Sequence, residues 1–262
     1  MIDFKYKKSY CVNDLAEIVK LLRAPGGCPW DAEQTHASIR RNFLEEAYEA
    51  VEAIDEADPV HLREELGDVL LQVVFHARME EEQGSFDLDG VADGICKKLI
   101  FRHPHVFGDV AVADSGAVLS LWEDRKRLEK GQATHSDALD SVARSLPALW
   151  RAEKVQKKAR KAGFDWPDIS GAMGKLDEEL GELKTAVAEG SNVEEELGDL
   201  LFSAVNAARF LGADPEDALT RATDKFISRF RKVEALAAQG DRPMTDMDID
   251  ELDKLWEQAK RT

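Results

Sequence analysis

Cysteine is scarce in this chain, and what there is cannot hold it together. Cys11, Cys28 and Cys96 are odd in number and widely spaced, and no Cys-x-x-Cys occurs. That argues against a zinc knuckle and against a disulfide framework. Long apolar runs are missing too. The first ten residues are charged and carry no apolar core, so no signal peptide is read there, and no run is long enough to span a bilayer. A cytoplasmic protein is expected. No strand-length alternation of apolar and polar residues is found either, which leaves an all-α chain. Basic charge is in deficit: 35 Lys and Arg stand against 52 Asp and Glu, for a net charge of −17. Stable nucleic-acid binding is not expected, because it depends on neutralising phosphates with Lys and Arg. A small anionic ligand stays allowed where a metal or a local basic group meets it.

What the chain has in abundance is carboxylate, and in a repeated order. Leu44-Glu45-Glu46-Ala47-Tyr48-Glu49 reads Glu-Glu-x-x-Glu, and Glu65-Leu66-Gly67-Asp68 reads Glu-x-x-Asp. Both lie in sequence of helical period, where residues three or four apart share a face. Glu45, Glu46 and Glu49 thus project near one another, and Glu65 pairs with Asp68. Packing two such helices together costs repulsion unless a cation neutralises them. Oxygen ligands without cysteine suit Mg²⁺, with Mn²⁺ as a substitute. The pattern returns as Glu178, Glu179 and Glu182, then Glu196-Leu197-Gly198-Asp199. One copy alone is most simply a solvated acidic face; two copies in the same order favour a site.

At 262 residues the repeat implies two domains. The expected division is an N-terminal helical domain over residues 1–130, a polar, poorly periodic linker over 131–146 and a C-terminal helical domain over 147–262. Helices are expected over about 12–22, 35–55, 59–84, 87–102 and 117–130, then 147–162, 169–189, 192–211, 215–238 and 248–260. Asp58-Pro59 and Asp214-Pro215 each supply an N-cap followed by proline at the first helical position. Gly67 lets a backbone or a ligand come close. The Arg23–Asp31 loop carries Trp30, either as a core plug or as a lid, and Gly163-Phe164-Asp165-Trp166-Pro167 echoes it. His103 and His105 fit a turn bonded to backbone better than a metal site. Glu33 and His36 form a single Glu-x-x-His near a loop, where a di-iron bundle needs two inside helices.

Basic pairs repeat in step with the acids. Lys98 and Arg102, then Trp122 and Lys126, follow the first acidic set; Lys225 and Arg229, then Trp256 and Lys260, follow the second. The chemistry this suggests is polyphosphate handling. Carboxylate-held metal bridges phosphate oxygens, Lys and Arg neutralise the remaining charge, and Trp offers a face on which a base can stack.

With those residues in place the whole chain resembles the MazG nucleoside triphosphate pyrophosphohydrolases in their two-domain bacterial form. The resemblance rests on both acidic sets, Gly27-Cys28-Pro29-Trp30-Asp31, Arg102-His103-Pro104-His105-Val106-Phe107, Ser145-Leu146-Pro147-Ala148-Leu149 and Gly163-Phe164-Asp165-Trp166. It implies tandem all-α bundles, a homodimer in which helices of one subunit complete the other, and Mg²⁺-dependent cleavage of ribo- and deoxynucleoside triphosphates to monophosphate and pyrophosphate, as clean-up of the nucleotide pool. Glu46 or Glu179 is the expected water-orienting base. The rival reading is a nucleotide- or metal-binding regulatory module without turnover; a complete acid set in both halves speaks against it. Because Pro104 ends the helix just after Arg102, that guanidinium is expected to turn away, leaving the second half as the main site of turnover.

Overall fold

A computed structural model describes residues 4–129, 131–132, 134–240 and 243–261. Among the described residues every regular element is a helix. The chain divides into two units, Met1–Lys126 and Arg127–Thr262.

The first unit is built on an antiparallel hairpin of α3 (Arg40–Asp55) and α4 (Pro59–Glu82). Asp58 accepts hydrogen bonds from the amides of Val60 and His61, and Pro59 takes the first helical position, so α4 starts where the sequence placed it. The expected helix from Thr35 starts five residues late. Thr35 and Ser38 hydroxyls bond nearby backbone and side-chain groups, which holds residues 35–39 in a turn. Helix α1 (Val12–Arg23) packs on α4. Val19, Ile39, Val74, Phe75 and Met79 form the core between them.

After α1 the chain doubles back tightly. The Cys28 amide donates to the Leu22 carbonyl at 2.7 Å, and a Cβ on Gly27 would stand 2.3 Å from two carbonyl oxygens, so only glycine fits. The loop then makes one helical turn, α2 (Pro29–Glu33). Trp30 on it is 61% exposed, which rules out a core plug within this chain. Helix α5 (Leu88–Arg102), a single turn α6 (Pro104–Phe107) and α7 (Ser115–Glu129) complete the unit; Lys130, the expected end of α7, lies outside the described residues. His103 Nδ1 lies 2.6 Å from the Leu99 carbonyl, the backbone-bonded turn expected there.

The second unit repeats the plan. Helices α10 (Ile169–Glu189) and α11 (Val193–Leu211) form its hairpin. Helix α9 (Ala148–Lys161) packs on α11, and α12 (Pro215–Ala237) pairs with α13 (Ile249–Ala259). Asp214 caps α12 as Asp58 caps α4. The stretch expected to be linker contains α8 (His135–Asp140), closed by a Thr134–Asp137 capping box and packed on α9.

Candidate metal centre

Each hairpin turns its carboxylates inward at one level. Glu46 lies nine residues before the end of α3 and Asp68 nine after the start of α4, so a short turn sets them side by side. Oxygens of Glu46, Glu49 and Glu65 all lie within 4.8 Å of one another. Asp68 is near enough that its charge, with those of Glu49 and Glu65, adds to burial in pushing the Glu46 carboxyl above its ordinary value. In the second hairpin Glu179, Glu196 and Asp199 meet the same 4.8 Å limit. Glu182 joins them from an exposed position: some lost hydration and then the Glu179 charge push its carboxyl up. Glu45 and Glu178 point elsewhere. Glu45 pairs with Arg41 at 2.8 Å and Glu178 with Lys175 at 2.8 Å.

Buried carboxylates need neutralising, and here the two clusters differ. His61, one turn before Glu65, reaches it at 3.2 Å. Lys175, one turn before Glu179, reaches it at 2.7 Å. Neither neighbour was singled out from the sequence, although the i, i+4 spacing of each is readable there. Glu179 is 5% exposed, and its Oε2 has no hydrogen-bond partner. A buried carboxylate oxygen left unpartnered, facing two more carboxylates, fits a hard divalent cation held by oxygen.

The basic residues gather around tryptophan. Arg102 lies over the Trp122 ring at 5.1 Å and Lys126 Nζ at 4.7 Å. Arg102 thus stays against Trp122 across the helix end at Pro104. Arg229 lies over Trp256 at 5.9 Å, Phe226 packs on the same indole at 5.1 Å, and Lys260 pairs with Glu257. Lys98 and Lys225 lie on α5 and α12. Among the described residues no hydrogen bond or ion pair joins Lys225, Arg229 or Lys260 to the acidic cluster of their own unit. His36 is likewise engaged elsewhere, stacked on His76 and paired with Glu80 at 2.8 Å.

The MazG nucleotide pyrophosphohydrolase domain matches residues 34–107 and 170–234, which hold both acidic hairpins. The chain belongs to the MazG family. It is 47% identical over 248 residues to the nucleoside triphosphate pyrophosphohydrolase/pyrophosphatase MazG of Thermotoga maritima, covering 95% of each chain. It is 45% identical over 255 residues to the nucleoside triphosphate pyrophosphohydrolase of Escherichia coli K12, covering 95% of this chain and 97% of that one. No described helix of this MazG-family chain is long and apolar enough to cross a membrane.

Proposed function

We propose that this chain hydrolyses nucleoside triphosphates to the monophosphate and pyrophosphate, with Mg²⁺ held by its acidic hairpins. The observation that carries this is the convergence of Glu179, Glu196 and Asp199 within 4.8 Å, in a chain whose relatives bear that activity in their names. Glu179, Glu182, Glu196 and Asp199 hold the cation in the second unit; Glu46, Glu49, Glu65 and Asp68 do so in the first. A cation held there would screen phosphate charge and lower the pKa of a bound water. Glu179, the buried member, orients the water that attacks phosphorus and takes its proton. The bond between the α and β phosphates breaks, and the electron pair leaves with pyrophosphate. Lys175, paired with Glu178 and Glu179, is placed to turn to phosphate, and Lys225, Arg229 and Lys260 meet the leaving charge. Trp256 holds Arg229 in place through its ring face.

The second unit carries most of the turnover, with Lys175 beside its cluster where the first unit has Asn42. The working form is a homodimer. The chain exposes 18512 Å², where two separate compact units of this size expose roughly 14,000 Å². Leu44, Tyr48 and Val51 on α3, Leu197 and Leu201 on α11 and Phe226 on α12 are all exposed, and a second copy covers such faces. A partner copy also brings further basic residues to an acidic cluster that Lys225, Arg229 and Lys260 do not pair with in their own unit among the described residues. Substrates span ribo- and deoxynucleotides, consistent with clean-up of the nucleotide pool in the cytoplasm.

The test is product analysis. Purified protein incubated with an NTP and Mg²⁺ yields monophosphate and pyrophosphate in equal amounts, and EDTA stops the reaction. Orthophosphate as the first product shows that a different bond is cut and overturns the reading.

A further inference from the structure

The first unit brings together two histidines that the acidic chemistry does not use. His36 lies in the turn of residues 35–39 and His76 on α4. Their rings stack nearly parallel, 6° apart in plane with centroids 5.0 Å apart, and the two Nδ1 atoms stand 2.7 Å from each other. Nitrogens at that distance hold one hydrogen between them, because two bare lone pairs repel and so do two N–H groups. Glu80, one turn after His76, sets a carboxylate oxygen 2.8 Å from His36 Nε2, out of line for a hydrogen bond but close enough to keep a proton on that nitrogen. The Nδ1 of a neutral His36 is then the acceptor, and His76 Nδ1 donates to it.

The pair tolerates one added proton and not two. One added proton makes a single imidazolium, and the neutral partner still accepts from it. A second puts a hydrogen on each Nδ1, so two donors and two like charges face one another across 2.7 Å. The charged groups of the surrounding helices are engaged with one another. Helix α3 presents Phe43, edge-on to His76 at 5.8 Å. On α1, Arg23 is held by Glu82, and Lys20 pairs with Glu17. On α4 itself Arg78 pairs with Glu81 and Glu82, and Asp87, ahead of α5, accepts from the Gly90 amide. Burial, and then the charge of His36, hold the His76 imidazole below its ordinary value of 6.5.

What the pair fastens is the segment that leads into α3. Ile39, three residues after His36, is buried in the core with Val74 and Phe75. The earlier part of the loop has its own clamp: Arg23 donates to the Asp31 carbonyl at 2.6 Å and to the Gln34 carbonyl at 3.1 Å. The hydrogen bond from Arg23 holds the Glu82 carboxyl below its ordinary value of 4.5, so that clamp persists in mild acid. The histidine pair is the fastening that changes there.

We infer that His36 and His76 form an acid-sensitive latch, holding residues 35–39 and the start of α3 against α4 while the pair carries at most one charge and releasing them when both rings are charged. Once released, His76 takes up its proton at the ordinary value; latched, it does so only at lower pH. Opening is therefore coupled to proton uptake, and its equilibrium constant rises as pH falls below 6.5, by at most about tenfold per pH unit for one proton. The latch does not depend on the reaction proposed above.

The experiment uses the full chain without added metal. Hydrogen exchange read by mass spectrometry, corrected for the intrinsic pH dependence of amide exchange, follows the segment that contains the Ile39 and Phe43 amides, which donate to the Thr35 and Ile39 carbonyls. The variants are His76→Gln and His36→Gln, with folding checked by circular dichroism. In the parent, protection of this segment falls by up to about tenfold for each pH unit below 6.5, while the hairpin of α10 and α11 keeps its protection. Each variant removes one of the two charges, so its protection stays level over the same range. If His76→Gln does not fold, His36→Gln, at the partner in the turn, carries the test. Protection in the parent that does not change with pH overturns the latch. So do variants that lose protection as steeply as the parent, because another group then drives the opening.

Discussion

Replacing Glu46 or Glu179 by glutamine removes one charge with little change in volume, and the stability effect has opposite signs with and without metal. In each cluster the carboxylate oxygens lie within 4.8 Å of one another. A like-charged pair at that separation costs about 1 kcal/mol at the screening of bulk water and about 3.5 kcal/mol at that of a partly buried site. Without metal, Glu46→Gln relieves such pairs and stabilises the first unit by about 1–2 kcal/mol, less than the full sum because Glu46 already titrates above its ordinary value. Glu179→Gln gains less, because it also gives up the 2.7 Å pair with Lys175. With Mg²⁺ at one hundred times its dissociation constant the unaltered sites gain about 2.7 kcal/mol, and each variant loses that gain in its own unit. Thermal unfolding with Mg²⁺ and with EDTA reads both effects. If Mg²⁺ raises the variants' melting temperatures as much as the parent's, the carboxylates are not the ligands and the metal assignment is refuted. Turnover separates the halves. Glu179→Gln lowers kcat/KM on the order of a hundredfold, and Glu46→Gln leaves most of it. The reverse pattern assigns the lead site to the first unit, and equal losses mean two comparable or coupled sites.

Light scattering at micromolar concentration finds a dimer of the 29.2 kDa chain; a stable, active monomer contradicts the assembly proposed from its exposed apolar faces. Asp165→Asn breaks the buried pair with Arg209, whose side chain is 4% exposed, and destabilises the second unit by about 3 kcal/mol at neutral pH. The hydrogen bonds from Arg209 hold the Asp165 carboxyl below its ordinary value of 3.8. Its contribution is therefore full above that value and lost as pH falls through the lower folded value. The urea midpoints of parent and variant converge in strong acid; an equal gap at neutral and strongly acidic pH contradicts the pairing.

Much of this was legible in the sequence. The Asp-Pro helix starts, the absence of strands among the described residues and the two acidic motifs are local facts, because an N-cap, a helical period and a shared face depend on residues within one or two turns. The start of α3 was misplaced for an equally local reason: the hydroxyls of Thr35 and Ser38 compete with the helix, and propensity alone does not say which side prevails. By sequence Trp30 fits a core plug or a lid, and its exposure follows only from the single turn of α2.

The sequence by itself determined the long helices, the twofold repeat and the residue types of the site, since each is written in spacings of three, four or seven residues. Only the tertiary structure decided which carboxylates meet. Glu45 and Glu178 lie on the right helices but beyond the inward arc, and Arg41 and Lys175 pair with them there. Tertiary packing likewise made Phe75 a core residue and set the next residue, His76, against His36. A residue's register on its own helix fixes the direction it faces, but only the elements packed opposite determine whether that direction holds a core, a cation or a hydrogen-bond partner.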